Sequence, residues 1–274
     1  MSITADAIRE IANQALAAAG HDLPKVQDIG HVVALPEGMS IHNIEQHLPQ
    51  RSSFRGTLKT HLPAEFASYV AAHAGTVFID GEEMRAAAIF DLGTTEQPGH
   101  CRHQAKLGLR MTSAYAALLE LTAIRSGAMS QRDLSDWLED WRDNLRVLSK
   151  TGETMHIMEA VKAVRTVTIE SVSKLSSTVH ETGGSLSAFE EVEAKSEVGL
   201  PHGFEFICAP YEGLPVRTFA VRLNVLTSGQ VPTFKPRAVQ LEAQQEAIAE
   251  DFKQMVSSAV GESAKVIVGV FDPH

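Results

Sequence analysis

Residues 76–109 read TVFIDGEEMRAAAIFDLGTTEQPGHCRHQAKLGL. Two β-prone runs flank Asp80-Gly81, a dipeptide that suits a tight turn, so the stretch opens as a hairpin. Residues 101–109 then alternate. Arg102, Gln104 and Lys106 fall on one side, and Cys101, His103, Ala105, Leu107 and Leu109 on the other, which adds a third strand and makes a meander. The segment 111–124, MTSAYAALLELTAI, is rich in Ala and Leu and reads as a helix that Gly127 ends. Neighbouring antiparallel strands followed by helices point to an α+β protein.

Downstream, Ser130 opens SQRDLSDWLEDWRDNLRVL with helix-start chemistry, a Ser cap with Asp133 three residues on. Leu134, Trp137, Leu138, Trp141 and Leu145 form one apolar stripe, fit for the core or for a subunit interface. Asp136, Glu139, Asp140 and Asp143 make the opposite, solvated face. In the polar middle, TMHIMEAVKAV reads as helix, RTVTIESVSKL as strand and LSAFEEVEAKSEV as helix, around a Ser/Thr/Gly cluster at 176–187. GFEFICAP, VRTFAVRLNVL and FKPRAVQLEA are three strands, a helix covers 243–258, and VIVGVF closes as a strand.

Upstream, FRGTLKT (54–60) alternates as a strand, with Arg55, Thr57 and Lys59 on one face. A helix starts at Pro63 and runs through Phe66 and Val70. HVVAL (31–35) reads as a short strand, Ser40 as the cap of a helix through Leu48, and residues 3–19 as an amphipathic helix. The expected architecture is thus two mainly antiparallel sheet regions flanked by helices. It comprises an N-terminal region 1–150, a polar connector 151–197 and a C-terminal meander with helix and strand, 198–274, which can pack as one domain.

The chain has 274 residues, 34 acids against 24 Lys and Arg, and a net charge of −10. That field opposes nonspecific binding to long duplex DNA. No apolar run approaches the ~20 residues of a membrane span. The first 22 residues lack a basic n-region and a continuous apolar block, so a cytoplasmic location is expected, without membrane contact. Cys101 and Cys208 are the only cysteines and have no metal-finger or redox spacing.

The basic residues are unevenly placed. Three stretches hold no carboxylate: Arg51, Arg55 and Lys59 fall in one, Arg102, Lys106 and Arg110 in the next, and Arg217, Arg222, Lys235 and Arg237 in the third. The first two sets are spaced four apart, which keeps each on a common face in helix or strand. A surface built from them can hold phosphates on an otherwise acidic body. His100, Cys101 and His103 are metal-capable types within four residues, and Cys101 and His103 would share a strand face. Two further ligands would have to come from Asp80, Glu82, Glu83 or Asp91, and Arg102 between them opposes a cation, so no metal is expected. No phosphate-loop, dinucleotide, zinc-protease or serine-hydrolase motif is present, and no cofactor is expected.

LPEGMSIHNIEQ, FRGTLKT, IFDLGTTEQPGHCRHQAKL, LSDWLEDW and FEFICAPYEG together resemble the YfdQ-like proteins, a phage and prophage family of unknown function. The likeness spans about residues 30–260. It implies a phage setting near DNA replication, recombination or host takeover, and it carries over no functional residue. The leading expectation is a non-enzymatic accessory protein, a homo-oligomer that binds single-stranded nucleic acid through Arg51, Arg55, Lys59, Arg102, Lys106 and Arg110. One alternative is an anti-defence protein that closes the same residues around a nucleotide signal or inhibits a host protein. Another is a metal-dependent enzyme using His100, Cys101 and His103.

Overall fold

The computed structural model describes residues 4–20, 47, 49–51, 53–123, 127–168, 199–226 and 231–272. The chain divides into two units, Met1–Phe54 and Arg55–His274. In the first, helix α1 (Ala5–Gly20) matches the amphipathic helix expected over 3–19, and Ile8 and Ile11 of its stripe are exposed. The strand expected at 31–35 lies outside the described residues. So does the helix from Ser40 to Leu48, apart from His47.

The second unit begins with β1 (Gly56–Thr60), α2 (Pro63–His73), β2 (Thr76–Asp80), β3 (Arg85–Ile89) and β4 (His103–Gly108). It continues with α3 (Ser113–Thr122), α4 (Gln131–Asp140), β5 (Leu145–Leu148), β6 (Thr154–Met155) and α5 (Ile157–Thr166). It ends with β7 (Gly203–Cys208), β8 (Arg217–Leu226), β9 (Thr233–Ala238), α6 (Leu241–Val260) and β10 (Lys265–Val268). The described residues therefore form the expected α+β fold: six helices and two five-stranded sheets, ordered β1-β4-β3-β2-β10 and β6-β5-β7-β8-β9. The second sheet is antiparallel throughout. The first has an antiparallel centre, the expected meander, with β1 and β10 added in parallel at its two edges.

Alanines set the first sheet's inner layer. Ala88 sits in register between Val77 and Ala105, and Ala86 between Ile79 and Leu107, all buried. Small side chains mid-sheet leave room for the bulky residues of the covering helices, Phe66 and Val70 on α2 and Ile248, Phe252 and Val256 on α6. Helices α3, α4 and α5 cover the second sheet. Trp137 stacks near Phe204 and Phe206, at 5.6 and 5.5 Å between ring centroids, so the tryptophan stripe belongs to the core. Thr112 ties the two sheet regions by donating its hydroxyl to the Ala209 carbonyl at 2.6 Å, and Arg217 on β8 reaches Asp251 on α6 at 2.7 Å.

Some expected boundaries move. The β2–β3 hairpin has four residues between its last pair, Asp80 and Arg85. Asp80 Oδ1 holds it by accepting from the amides of Glu82 and Glu83, and the left-handed residue is Met84, not Gly81. Helix α3 stops at Thr122, short of Gly127. Ser130 caps α4 as expected, its Oγ accepting from the Asp133 amide at 3.1 Å. The helix ends at Asp140, however, and one 3₁₀ turn (Arg142–Asn144) turns the chain into β5, so Leu145 is a strand residue. Arg165 and Thr166 close α5 instead of starting a strand, and the rest of that run, with LSAFEEVEAKSEV, lies outside the described residues apart from Val167 and Thr168. Strand β10 pairs with β2, far back in the chain, while β5 and β6 join the C-terminal strands. Among the described residues no helix is long and apolar enough to cross a membrane.

Leu134 is fully buried where α4 meets the second sheet. Leu134→Ala should cost about 2–5 kcal/mol in urea denaturation. Tryptophan fluorescence reads this directly, because both indoles of the chain sit on this helix and its cap, against Phe206.

Candidate nucleic-acid interface

The parallel pairing of β1 on β4 decides where the basic residues meet. Lys59 is the register partner of Lys106, and Thr57 of Gln104. The Gly56 amide donates to the Arg102 carbonyl at 3.0 Å, so Arg55 enters β1 at the level of Arg102. Strand alternation turns these residues away from α2. Their pleat partners Leu58, Ala105 and Leu107 face the core, while Lys59, Arg102 and Lys106 are exposed. Of the six expected residues, Lys59, Arg102 and Lys106 thus stand exposed on one face, and Arg55, half-buried with its Nε out of solvent, completes a two-by-two array with them. Its steps are ~4.8 Å across strands and ~13 Å along them.

The same outer face carries two cations that the acid-free windows did not contain. Arg85 on β3 is the register partner of Gly108, and Lys265 on β10 that of Thr76. Phe78 lies between them on β2, stacked on Phe271 at 4.8 Å and 18°. Against six cations, the face has one strand carboxylate, Asp80, already engaged by the loop amides. Among the described residues no carboxylate pairs with Lys59, Arg102 or Lys106. Arg85 has only an exposed contact to Glu83 at 3.8 Å. Like charges directly opposite one another are destabilising, and a polyanion relieves that.

Arg110 and Arg51 stand apart. Arg110 lies beyond β4 and faces Glu212 at 4.0 Å. Arg51 is an exposed residue of the first unit. In the third window, Arg217 is committed to Asp251 and Gln244. Arg222 and Arg237 are exposed register partners on the second sheet.

Behind the array the Asp91 carboxylate accepts from the amides of Arg102 and His103 at 2.8 and 2.9 Å and so fixes the start of β4. The loop before it folds back closely, and a Cβ on Gly99 would collide with the Asp91 carbonyl. His103 turns inward, 2.9 Å from the Tyr69 hydroxyl, among the rings of His73 and Phe90. Burial, then the neighbouring His73, hold its pKa below the ordinary histidine value, against the pull of Asp91. This breaks up the metal-capable set. Cys101 has φ +52 and precedes the strand, so it does not share His103's strand face. Burial and Asp91 push the Cys101 thiol up, and His100 is exposed. Among the described residues no three His, Cys, Asp or Glu side chains are grouped to hold a metal.

A cleft of about 860 Å³ opens between the β2–β3 loop, α3, α6 and the end of β10. Its walls include Asp80, Glu82, Glu242 and Glu246 beside Tyr115 and Tyr211, with Lys253 as its one cation. Burial pushes Tyr115 up to about 12. Four carboxylates make this cleft unfavourable to phosphate.

The chain belongs to the family described as uncharacterized conserved protein (DUF2303), which it matches over residues 4–271. No curated protein and no solved structure matches it.

His103 gives a pH test. Its folded pKa is depressed, so the unfolded chain binds the proton more readily. Stability should be full above the unfolded histidine value of ~6.5 and fall as the pH drops below it. Urea midpoints at neutral and mildly acidic pH should show the loss, and His103→Gln should show a smaller one.

Proposed function

We propose that this family member is a non-enzymatic accessory protein that binds single-stranded nucleic acid across the outer face of its first sheet. Its setting would be phage or prophage DNA replication or recombination, as the resemblance to YfdQ-like proteins implies. The observation that carries the reading is the register of Lys59 on Lys106, with Arg55 and Arg102 one step behind. Sequence separates these residues by more than forty positions, and the fold sets them in one array.

The chemistry is phosphate neutralisation with limited base contact. Arg85 and Lys265 extend the array across the sheet, and Phe271, stacked over the buried Phe78, offers one exposed ring beside them. Exposed cations set around a buried apolar centre, Phe78 and Ile89, suit a flexible strand, whose phosphates can find the cations one by one. A long duplex presents more charge to the net −10 body and hides its bases. The enclosed-pocket alternative, a nucleotide sponge, gains no support from the cleft, whose carboxylates oppose phosphates. A host protein with an acidic surface remains a competitor for the same face and is separated by the binding test.

Fluorescence anisotropy with a labelled oligonucleotide at graded salt is that test. Wild-type affinity should fall linearly on a log–log salt plot, with a slope of about −0.7 per phosphate contacted. Lys59→Ala/Arg102→Ala/Lys106→Ala should stay folded, bind more weakly and flatten the slope by about 2. Absence of binding by wild type at low salt, or unchanged binding by the variant, would remove the proposal.

A further inference from the structure

The two sheets end in four edges, and three carry the usual protections. β1 bears Lys59, β6 is two residues long, and β9 contains Lys235, Pro236 and Arg237. β10 carries its one lysine, Lys265, at its first residue, and the rest of the strand is apolar. It reads KVIV and continues as Gly269-Val270-Phe271, with Val268 62% and Val270 76% exposed. Among the described residues no strand pairs with its outer side. Its amides are already sorted. The Gly269 amide donates to the Ile79 carbonyl, and in a parallel ladder alternate residues bond the same neighbour. Lys265, Ile267 and Gly269 therefore serve β2, while Val266, Val268 and Val270 present both N–H and C=O to the open edge.

We propose that this edge pairs with β10 of a second copy, antiparallel about a two-fold axis centred on Val268. The register is self-consistent. Centring Val268 on its twin pairs Val266 with Val270 of the second copy, so all three outward-bonding residues meet one another in hydrogen-bonded positions. The two exposed valines gain cover. The ends match in charge, since Lys265 comes beside Asp272 of the second copy, and a parallel copy would set like on like. Residues directly opposed in a sheet point to the same side, so Lys265 also meets Phe271 of the second copy on the outer face. The two basic faces then form one ten-stranded surface. The pairing stands on the edge itself and does not require nucleic-acid binding.

The test is the mass of the full chain by light scattering across a concentration series, without nucleic acid. The expected result is a species of twice the 29.7 kDa chain mass. Val268→Pro removes an outward amide without touching the β2 ladder and should give a folded monomer. Val268→Lys/Val270→Lys places charge on the edge and should do the same, and it decides the matter if the proline variant fails to fold. In wild type the amides of Val266 and Val268 should exchange slowly with deuterium, and faster on dilution. A wild-type monomer at every concentration, a dimer retained by either folded variant, or rapid exchange at those two amides overturns the proposal.

Discussion

One helix has to satisfy two sheets at once. Along α6, Ile248, Phe252, Val256 and Val260 recur every fourth residue and are almost wholly buried, which fixes the face turned to α2 and the first sheet. Asp251 lies beside that stripe and takes a two-nitrogen contact from Arg217 on the second sheet. The pair is only about a quarter exposed, so its geometry is less softened by water than that of the surface pairs. The helix can slide along neither sheet without giving up one of these constraints. The position of β10, and with it the closing edge of the first sheet, follows from where α6 is held.

The charge pattern follows from that framework. An acidic protein with six cations on one sheet face separates its charges at a cost, since Lys59 and Lys106 are nearest neighbours. Asp91 partly offsets this from the rear. Its carboxylate is spent on two backbone amides at the start of β4, so it holds the strand in place without neutralising the side chains in front. The two closest side-chain ion pairs among the described residues, Glu205 with Arg146 and Asp251 with Arg217, belong to the second sheet and its link to α6.

Local patterning made most of this legible. The meander, the Pro63 helix, the Ser130 cap and the three C-terminal strands are all visible in alternation and capping, because each depends on residues within a few positions. The errors came where tertiary contacts override a local period. Leu145 keeps the helical spacing of the tryptophan stripe, yet its backbone is claimed by pairing with Phe206. Cys101 keeps the strand alternation of His103, yet a left-handed turn precedes the strand. The array itself was half legible. Spacing put Arg55 with Lys59 and Arg102 with Lys106, but only the parallel register joins the two pairs. Arg85 and Lys265 escaped because Glu82, Glu83 and Glu262 are near in sequence, and a one-dimensional window cannot see which face a neighbour occupies.

The register of Val266 on Val77 also sets a timetable. About 190 residues separate these two partners, and a contact across so long a loop forms late and slowly. During synthesis the β2 edge and the inner layer that α6 covers emerge well before their partners do. The alanines at 86, 88 and 105 lessen the hazard of that interval, since they expose little sticky surface while the layer waits. Completion of the first sheet therefore waits on α6 and β10, however early its meander is made.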